Sequence, residues 1–481
     1  MSKVAFMTLG CKVNQADTAS MQMLFREAGY EVCDFHETAD VYLVNTCVVT
    51  NAGQQKSRQM IRRAIRRNPA ALVVVAGCYP QTAAEEVKTI QGVDLLIGTQ
   101  DRSKVVELVE EAALRKRQGV TLPREQGESE GLVVRESASL AAGKRVERRH
   151  AAPGAALAEE VIDDEVRPWA ADTAFEEMAG GNEADKTRAY LKIQEGCNQY
   201  CSFCIIPYAR GPLRSRSLSS IRGEVERLTR LGYEEVVLIG IHLGCYGKER
   251  ADGTTLYDAV EAAMSVPGLQ RLRLGSLESV EVEERLLELM AREPRLCPHL
   301  HLPLQSGCDK ILREMHRPYD TARFASLLAA IRRKVPHAAV TTDVIVGFPG
   351  ETEEDFQATC AFVRQCGFAK IHVFPYSTRK GTPAAARKDQ VPERVKQQRA
   401  ERMAALDAAS QQAYFEKQVG RRVRVLAEQA VEGSHLPNTG VEGLSENYIR
   451  VEFPGEASLC GTIVTVEITG IGLDKCYGRL V

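Results

Sequence analysis

No run of apolar residues in this 481-residue chain approaches the roughly 18 that a membrane-spanning helix needs. The N-terminus, Met1-Ser2-Lys3-Val4-Ala5-Phe6-Met7, leads directly into a strand-like segment and lacks a signal peptide's cleavage pattern. Fourteen cysteines in a large chain without secretory signals therefore suggest a reducing cytoplasm with some thiols on metal, rather than a disulfide framework. An overall basic charge is also missing, since the net is −2. That balance looks wrong for a nucleic-acid binder until it is located. Residues 152–186 carry ten acidic side chains against two basic ones, a local −8, which leaves +6 on the remainder. A modest basic surplus of that kind is compatible with RNA without demonstrating it. The length suggests two to four domains, each able to bury its own core.

Most of what is present in place of these features is concentrated in Glu195-Gly196-Cys197-Asn198-Gln199-Tyr200-Cys201-Ser202-Phe203-Cys204, a C-x-x-x-C-x-x-C spacing. A [4Fe–4S] cluster usually takes four thiolates. Three on one tight loop can hold it and leave one iron open to chelate a small molecule. Zinc is the rival, because three cysteines and a distant fourth ligand also make a tetrahedral site.

The first hundred residues alternate strand and helix signals. Val4–Leu9, Val41–Asn45, Leu72–Gly77 and Asp94–Gly98 read as strands, and Asp17–Ala28 and the basic Gln54–Arg67 as helices. Short apolar strands between helices argue a parallel, doubly wound sheet. Three elements end on a cysteine: Leu9-Gly10-Cys11, Asn45-Thr46-Cys47 and Gly77-Cys78. Sites in open α/β sheets form beyond the carboxyl ends of strands, so these thiols can converge as a second three-cysteine set. Each alone is equally well a small core residue.

Residues 117–186, rich in Ala, Gly, Glu and Arg, break the pattern and read as a low-complexity acidic insertion, with Trp169 the one side chain suited to docking. A second βα series follows over residues 187–417, with strands at Ala189–Ile193, Glu235–Ile239, Arg271–Leu274, His299–Leu302, Ala339–Val346 and Lys370–Phe374. Six strands fall short of the eight of a closed α/β barrel, so an open partial barrel fits. Its helical pattern from Pro392 to Lys417 leads into residues 418–481, where Arg421–Leu426, Tyr448–Phe453 and Thr462–Ile468 alternate as in a small β-barrel. Such barrels often bind nucleic acid, and a solvated strand face gives the same pattern.

Two cysteine sets in this order, then a partial barrel and a terminal β-domain, resemble the radical S-adenosylmethionine (SAM) methylthiotransferases over nearly the whole chain except the insertion. Gly196 to Gly211 is similar to their SAM-cluster loop position by position. Thr8-Leu9-Gly10-Cys11-Lys12-Val13-Asn14-Gln15 and Ile239-Gly240-Ile241-His242-Leu243-Gly244 look like the branch acting on N6-threonylcarbamoyladenosine in tRNA. The resemblance implies an N-terminal methylthiotransferase domain (1–116), a radical SAM partial (β/α)6 barrel (187–417) and a TRAM β-barrel (418–481). It implies two [4Fe–4S] clusters, one on Cys197, Cys201 and Cys204 with SAM, and an auxiliary one on Cys11, Cys47 and Cys78. The reduced SAM cluster would cleave the sulfonium to a 5′-deoxyadenosyl radical, and the auxiliary cluster would carry sulfur. The implied partners are tRNA and an electron donor such as a flavodoxin or ferredoxin, with the enzyme a cytoplasmic monomer.

Other positions are candidates on weaker grounds. Gly240 and Gly244 would let backbone approach a ligand, and Glu278 and Gln305 follow barrel strands near the expected SAM pocket. Pro349-Gly350 reads as a simple turn, with Thr352 and Asp355 capping the next helix. His242 and His301 read as barrel-mouth or core residues, and the other eight cysteines as structural thiols. RNA contacts are expected from Arg62 and Arg66 with their helix neighbours Arg58, Arg63 and Arg67. Further contacts are expected from Arg210, Arg214 and Arg216, and from Arg421, Arg422, Arg424 and Arg450. Rival functions are the same chemistry on isopentenyladenosine, modification of a ribosomal-protein aspartate, and a non-catalytic metal-containing RNA-binding module.

Overall fold

The computed structural model describes residues 2–118, 163–180, 187–431 and 440–481. The N-terminal sheet consists of β1 (Lys3–Thr8), β2 (Glu31–Cys33), β3 (Val41–Thr46), β4 (Leu72–Gly77), β5 (Leu95–Ile97) and β6 (Asp163–Glu165). All are parallel, in the order β2-β1-β3-β4-β5-β6. Strand alternation sends neighbouring residues to opposite faces, and both faces are covered. Tyr42, Val44, Val73, Val75 and Leu96 pack with Met60, Ile61, Ala64 and Val87 of the helices Asn51–Arg67 and Cys78–Lys88. Val41, Leu43, Leu72, Val74 and Leu95 pack with Met21, Phe25, Val105 and Val109 of Lys12–Glu27 and Val105–Gln118. The first helix starts at Lys12, earlier than the sequence suggested, because Cys11 is already the extended N-cap residue.

Within residues 117–186, read from the sequence as a low-complexity acidic insertion, β6 extends the N-terminal sheet. The chain beyond it lies across the domain junction. The Trp169 indole N–H donates to the Tyr208 carbonyl at 3.2 Å, and the Arg214 guanidinium sits 4.4 Å from the Trp169 ring. Gly211, at φ +68°, leaves room for that ring: a Cβ there would fall 2.1 Å from Trp169 Cδ2. The rest of the insertion, residues 119–162 and 181–186, lies outside the described residues.

The central domain carries β7 (Arg188–Glu195), β8 (Arg214–Ser215), β9 (Glu235–Gly240), β10 (Arg271–Leu274), β11 (His299–His301), β12 (Ala339–Val346) and β13 (Lys370–Pro375). They form the sheets β10-β9-β7-β8 and β11-β12-β13, joined by parallel bridges Leu272–Leu296 and Ser276–His301. Apart from the short antiparallel β8, six parallel strands thus follow one another. Leu191, Ile193, Val236, Leu238, Leu272, Leu300 and Ile371 face the surrounding helices. The alternate positions face inward, where Val13 and Ala16 of the N-terminal domain's first helix pack on Val237 and Ile239.

The helix Glu393–Glu416 leads to a closed antiparallel-rich barrel of β14 (Arg422–Val431), β15 (Gly440–Ser445), β16 (Arg450–Pro454), β17 (Ile463–Ile471) and β18 (Cys476–Leu480). Strands β15 and β18 were absent from the sequence reading. Buried Arg271 and Arg273 of β10 bind this barrel: Arg271 donates to the Arg424 and Leu444 carbonyls at 3.1 Å, and Arg273 to Ser445 at 2.9 Å. Both arginines pair with the buried Glu235 carboxylate, at 2.5 and 2.8 Å through their Nε atoms. His299 stacks on Tyr448 with ring centroids 4.2 Å apart. Among the described residues no helix is long and apolar enough to cross a membrane.

Burial raises the proton affinity of Glu235, but the Arg273 and Arg271 guanidinium groups outweigh it and hold the carboxyl at about 2. A folded-state value below the ordinary one gives stability that is complete above about pH 4.5 and is lost as pH falls toward 2. Glu235→Gln is expected to destabilise the protein by about 3 kcal/mol in chemical denaturation, since it strands two buried cations. It should also flatten the acid-side loss of stability across that window.

Candidate active site

The N-terminal cysteines sit just past the ends of β1, β3 and β4, where a parallel sheet places its sites. Cys11 is exposed, whereas Cys47 and Cys78 are buried. Gly10, at φ +100°, makes their approach possible, because a Cβ there would lie 2.7 Å from Cys47 Cβ and 2.8 Å from its Sγ. Burial pushes the Cys78 thiol up to about 11; the nearby Arg210 charge works against this, while Cys11 and Cys47 add to it. Cys47 is likewise raised by burial, and it feels Cys11. The three thiols therefore share one electrostatic neighbourhood. Two buried arginines flank it. Arg210 donates from Nε to Cys78 Sγ at 3.3 Å. Arg379, near Cys47, is held by neutral Asn51 and Ser377 oxygens at 2.6 and 2.9 Å.

The second set occupies the loop from β7 to the short helix Ile206–Arg210. Gly196, at φ +78°, starts it with its Cβ position 1.7 Å from the Pro212 carbonyl oxygen, so only glycine fits. The Cys197 N–H donates to Gly211 O and the Cys204 N–H to Cys201 O, both at 3.0 Å. The Ser202 hydroxyl donates to the Glu314 carbonyl at 2.7 Å, which fixes the loop against the segment carrying Arg317. Arg317 donates to Cys201 Sγ at 3.2 Å and also binds Glu278. Burial raises Cys204 to about 12, with Cys201 and Cys197 contributing. His242 Nδ1 lies 3.5 Å from Cys197 Sγ, and its Nε2 lies 2.9 Å from Glu281.

All fourteen cysteines are free of disulfides. Each set offers three neighbouring thiols, two of the three in each case raised by burial, with a guanidinium aimed at one sulfur. As thiols these groups would be poor acceptors for buried arginines. As metal-bound thiolates they make charge-assisted hydrogen bonds, so the donor sets fit a thiolate-ligated metal cluster.

Between the two sets lies a buried ion network that sequence reasoning missed. Asp17, on the helix after Cys11, and Glu195, at the end of β7, have essentially no exposure. Lys192 Nζ reaches them at 2.5 and 2.8 Å, and Arg210 Nη1 at 3.0 and 2.5 Å. Arg102 binds both as well, at 3.0 Å to Glu195 Oε2. The available signal was alternation: Lys192 is polar between Leu191 and Ile193, which face the helices. Arg210 was expected on RNA and is corrected here, because it is fully buried in this network. Arg214 and Arg216 are corrected too. Both are buried, Arg214 against Trp169 and Arg216 against Phe175 and the Met178 carbonyl.

The other candidates divide. Arg62 and Arg66 are exposed and make no ion pair among the described residues, and Arg421 is half-buried. Arg424 and Arg450 pair with Glu446 and Glu442 at 2.8 and 2.5 Å. The close approach that Gly240 and Gly244 allow is to this chain's own side chains: their Cβ positions lie 2.9 Å from Gln194 Cβ and 2.2 Å from Glu281 Oε2. Glu278 sits beside the second thiol set through Arg317. Gln305 has φ +64° and donates its N–H to Asp343 O at 2.9 Å at the strand mouth. Nearby on the inward face, His301 Nε2 lies 3.3 Å from Asp343, and His301 and His372 have ring centroids 5.6 Å apart.

Comparison with known proteins places this geometry. Residues 191–363 match the radical SAM superfamily, and residues 3–98 match a family described as uncharacterized protein family UPF0004. The fold is similar to the radical S-adenosylmethionine methyltransferase TsrM from Kitasatospora setae, solved with cobalamin and a [4Fe-4S] cluster. The TM-score is 0.55 at 16% identity, covering 80% of this chain and 77% of that one. At that identity the likeness concerns fold alone. The class is thus a radical SAM protein with an additional N-terminal α/β domain. Among curated proteins the chain is 40% identical to the threonylcarbamoyladenosine tRNA methylthiotransferase MtaB of Bacillus subtilis (strain 168), over 100% of this chain and 97% of that protein. It is 37% identical to the protein of the same name from Aquifex aeolicus (strain VF5), over 97% and 100%. It is 32% identical to the tRNA-2-methylthio-N(6)-dimethylallyladenosine synthase of Pelotomaculum thermopropionicum, over 100% and 98%. The chain belongs to the radical SAM methylthiotransferase family, whose cofactors are SAM and [4Fe–4S] clusters.

Gly10→Ala is expected to force Cys47 aside and impose backbone strain of about 1–3 kcal/mol. The melting temperature should fall, and Cys47 should become alkylable under native conditions; unchanged protection of Cys47 would contradict this account of the thiol cradle.

Proposed function

We propose that this protein is a tRNA methylthiotransferase that adds a methylthio group at C2 of N6-threonylcarbamoyladenosine, beside the anticodon. Cys197, Cys201 and Cys204 hold the cluster that binds SAM, and Cys11, Cys47 and Cys78 hold the auxiliary cluster. The observation carrying this reading is that the two three-thiol sets meet at one domain junction, bridged by a single side chain, Arg210, which leaves the helix after Cys204 and touches Cys78. When bound, the clusters and SAM supply the electron transfer, radical and methyl-donor chemistry that amino-acid side chains lack. The protein's own residues position these groups. Arg317 holds the Cys201 sulfur and orients Glu278 toward the same pocket, and His242 and Glu281 brace Cys197. A one-electron reductant of flavodoxin or ferredoxin type completes the system.

The substrate assignment draws on Lys12. Threonylcarbamoyl carries a carboxylate, whereas dimethylallyl is a hydrocarbon, so the two substrates ask for different surroundings. Lys12 follows Cys11 directly, is exposed, and forms no ion pair among the described residues. Its ammonium lies 5.9 Å from the ring of Tyr190, an inward-facing residue of β7. An uncompensated cation beside Cys11, over an inward-facing ring of the barrel, suits an anionic substituent. For the rest of the RNA, Tyr200 and Tyr208 are exposed and meet edge to face at 5.8 Å beside the second thiol loop, where they offer stacking surfaces. Arg62, Arg66 and Arg421, with a TRAM-like closed barrel, supply phosphate contacts.

Anaerobic reconstitution of the wild type should give about eight irons, falling to about four when Cys197, Cys201 and Cys204 are replaced by alanine. Cys201→Ala should abolish SAM cleavage. Cys47→Ala should retain it and make no methylthio product on threonylcarbamoyl-bearing tRNA. Zinc in place of iron, or product from Cys47→Ala, would sink the two-cluster enzyme.

Lys12→Gln is expected to lower kcat/KM for that tRNA about tenfold or more, the scale of one charge-assisted hydrogen bond. The iron content should not change. An undiminished kcat/KM would remove Lys12 from substrate recognition.

A further inference from the structure

Arg210 has no surface, and every arm of its guanidinium is engaged. Nε donates to Cys78 Sγ at 3.3 Å, Nη1 to Asp17 at 3.0 Å and Glu195 at 2.5 Å, and Nη2 to the Asn14 side-chain oxygen. Four chain segments therefore meet on one side chain: the first helix after Cys11, the end of β7, the helix after Cys204, and Cys78 itself. The charges around it do not balance. Arg102, Lys192 and Arg210 bring three positive charges to two buried carboxylates, Asp17 and Glu195. The half-buried Glu176 also reaches Arg102 at 3.4 Å, and the buried Arg214 lies 3.9 Å from Glu195, so the surplus of one positive charge remains. The one network member that touches a thiol is Arg210. Lysine could not make this set of contacts, because it lacks the planar fork that reaches carboxylates and a sulfur at once.

We propose that Arg210 is a positioning residue for the auxiliary cluster: its Nε–H···S bond and the network's surplus positive charge stabilise the cluster's more negative, one-electron-reduced state. Both influences act in the same direction, since hydrogen bonds to sulfur and added positive charge raise a cluster's reduction potential. The same guanidinium fixes Cys78 relative to Glu195, two residues before Cys197. The cluster that receives this influence is therefore held in register with the SAM loop. This inference rests on Cys11, Cys47 and Cys78 holding a cluster.

The test uses full-length protein with Cys197, Cys201 and Cys204 replaced by alanine, so that the auxiliary site alone is loaded. It is titrated with dithionite and followed by electron paramagnetic resonance. Arg210→Lys should shift the midpoint potential to more negative values, or lose the iron altogether. Lys192→Gln, which removes one of the network's charges without touching a thiol, should lower thermal stability and shift the potential in the same direction by less than Arg210→Lys does. An unchanged potential in Arg210→Lys, or an equal shift in both variants, would overturn the proposal. Should Arg210→Lys fail to fold, protein labelled with 15N in its arginine guanidinium groups replaces it. A 15N coupling to the reduced cluster that survives Arg379→Lys is expected, and its absence would count against Arg210. A triple-alanine protein that binds no iron would instead remove the cluster assignment itself, and this role with it.

Discussion

Two carboxylates withdrawn from water govern how this molecule is put together. Asp17 and Glu195 lie in different domains, and neither finds its full complement of cations within its own domain. Asp17 draws Lys192 and Arg210 from the central domain, while Glu195 draws Arg102 from the N-terminal one. An ion set of this kind adds little net stability over a well-packed apolar interface. Losing one member is costly, however, about 3–5 kcal/mol, because the others are left charged and dry. The practical effect is on register: the two domains can dock in the one orientation that satisfies all five groups, and that orientation brings the two thiol sets together.

The same device recurs at the other end of the barrel. Glu235 is neutralised by Arg271 and Arg273, whose remaining donors reach carbonyls of the C-terminal barrel. Arginine serves at both junctions because its fork can bind a carboxylate and keep donors free for backbone or sulfur. Three bodies are thus fixed in series by buried guanidinium groups, Arg102 and Arg210 on short helical segments at the first junction and Arg271 and Arg273 on β10 at the second. On β10 the alternate residues Leu272 and Leu274 build the core against the helices.

Elements with a strong local pattern were legible in the sequence. The buried strands Val41–Thr46 and Leu72–Gly77, all six parallel barrel strands and the long helix before the tail lie close to where periodicity put them. The cysteines at strand ends could be grouped because the topology rule for parallel sheets is local. Strands β2, β6, β8, β15 and β18 escaped notice, all of them only two to six residues long, and β6 embedded in a polar segment whose pairing is set by the neighbouring sheet edge. The arginines after Cys204 were misassigned for a related reason. Charge was read as exposure, yet the carboxylates that bury Arg210 lie 15 and 193 residues away, and the aromatic ring covering Arg214 comes from the insertion. Composition reports how many charges a chain has, while burial depends on partners brought together by the fold.

Chains leave the ribosome N-terminus first, and the order of residues here sets an order of completion. Cys11, Cys47 and Cys78 are synthesised well before the edge strand at residues 163–165 and before Arg210. The earliest half of the molecule emerges with an open sheet edge, an Asp17 lacking two of its three cations, and a Cys78 without its donor. The half that is made first is finished by the half made second, and the translation of some 130 residues separates a thiol from the guanidinium 132 positions further on that it needs.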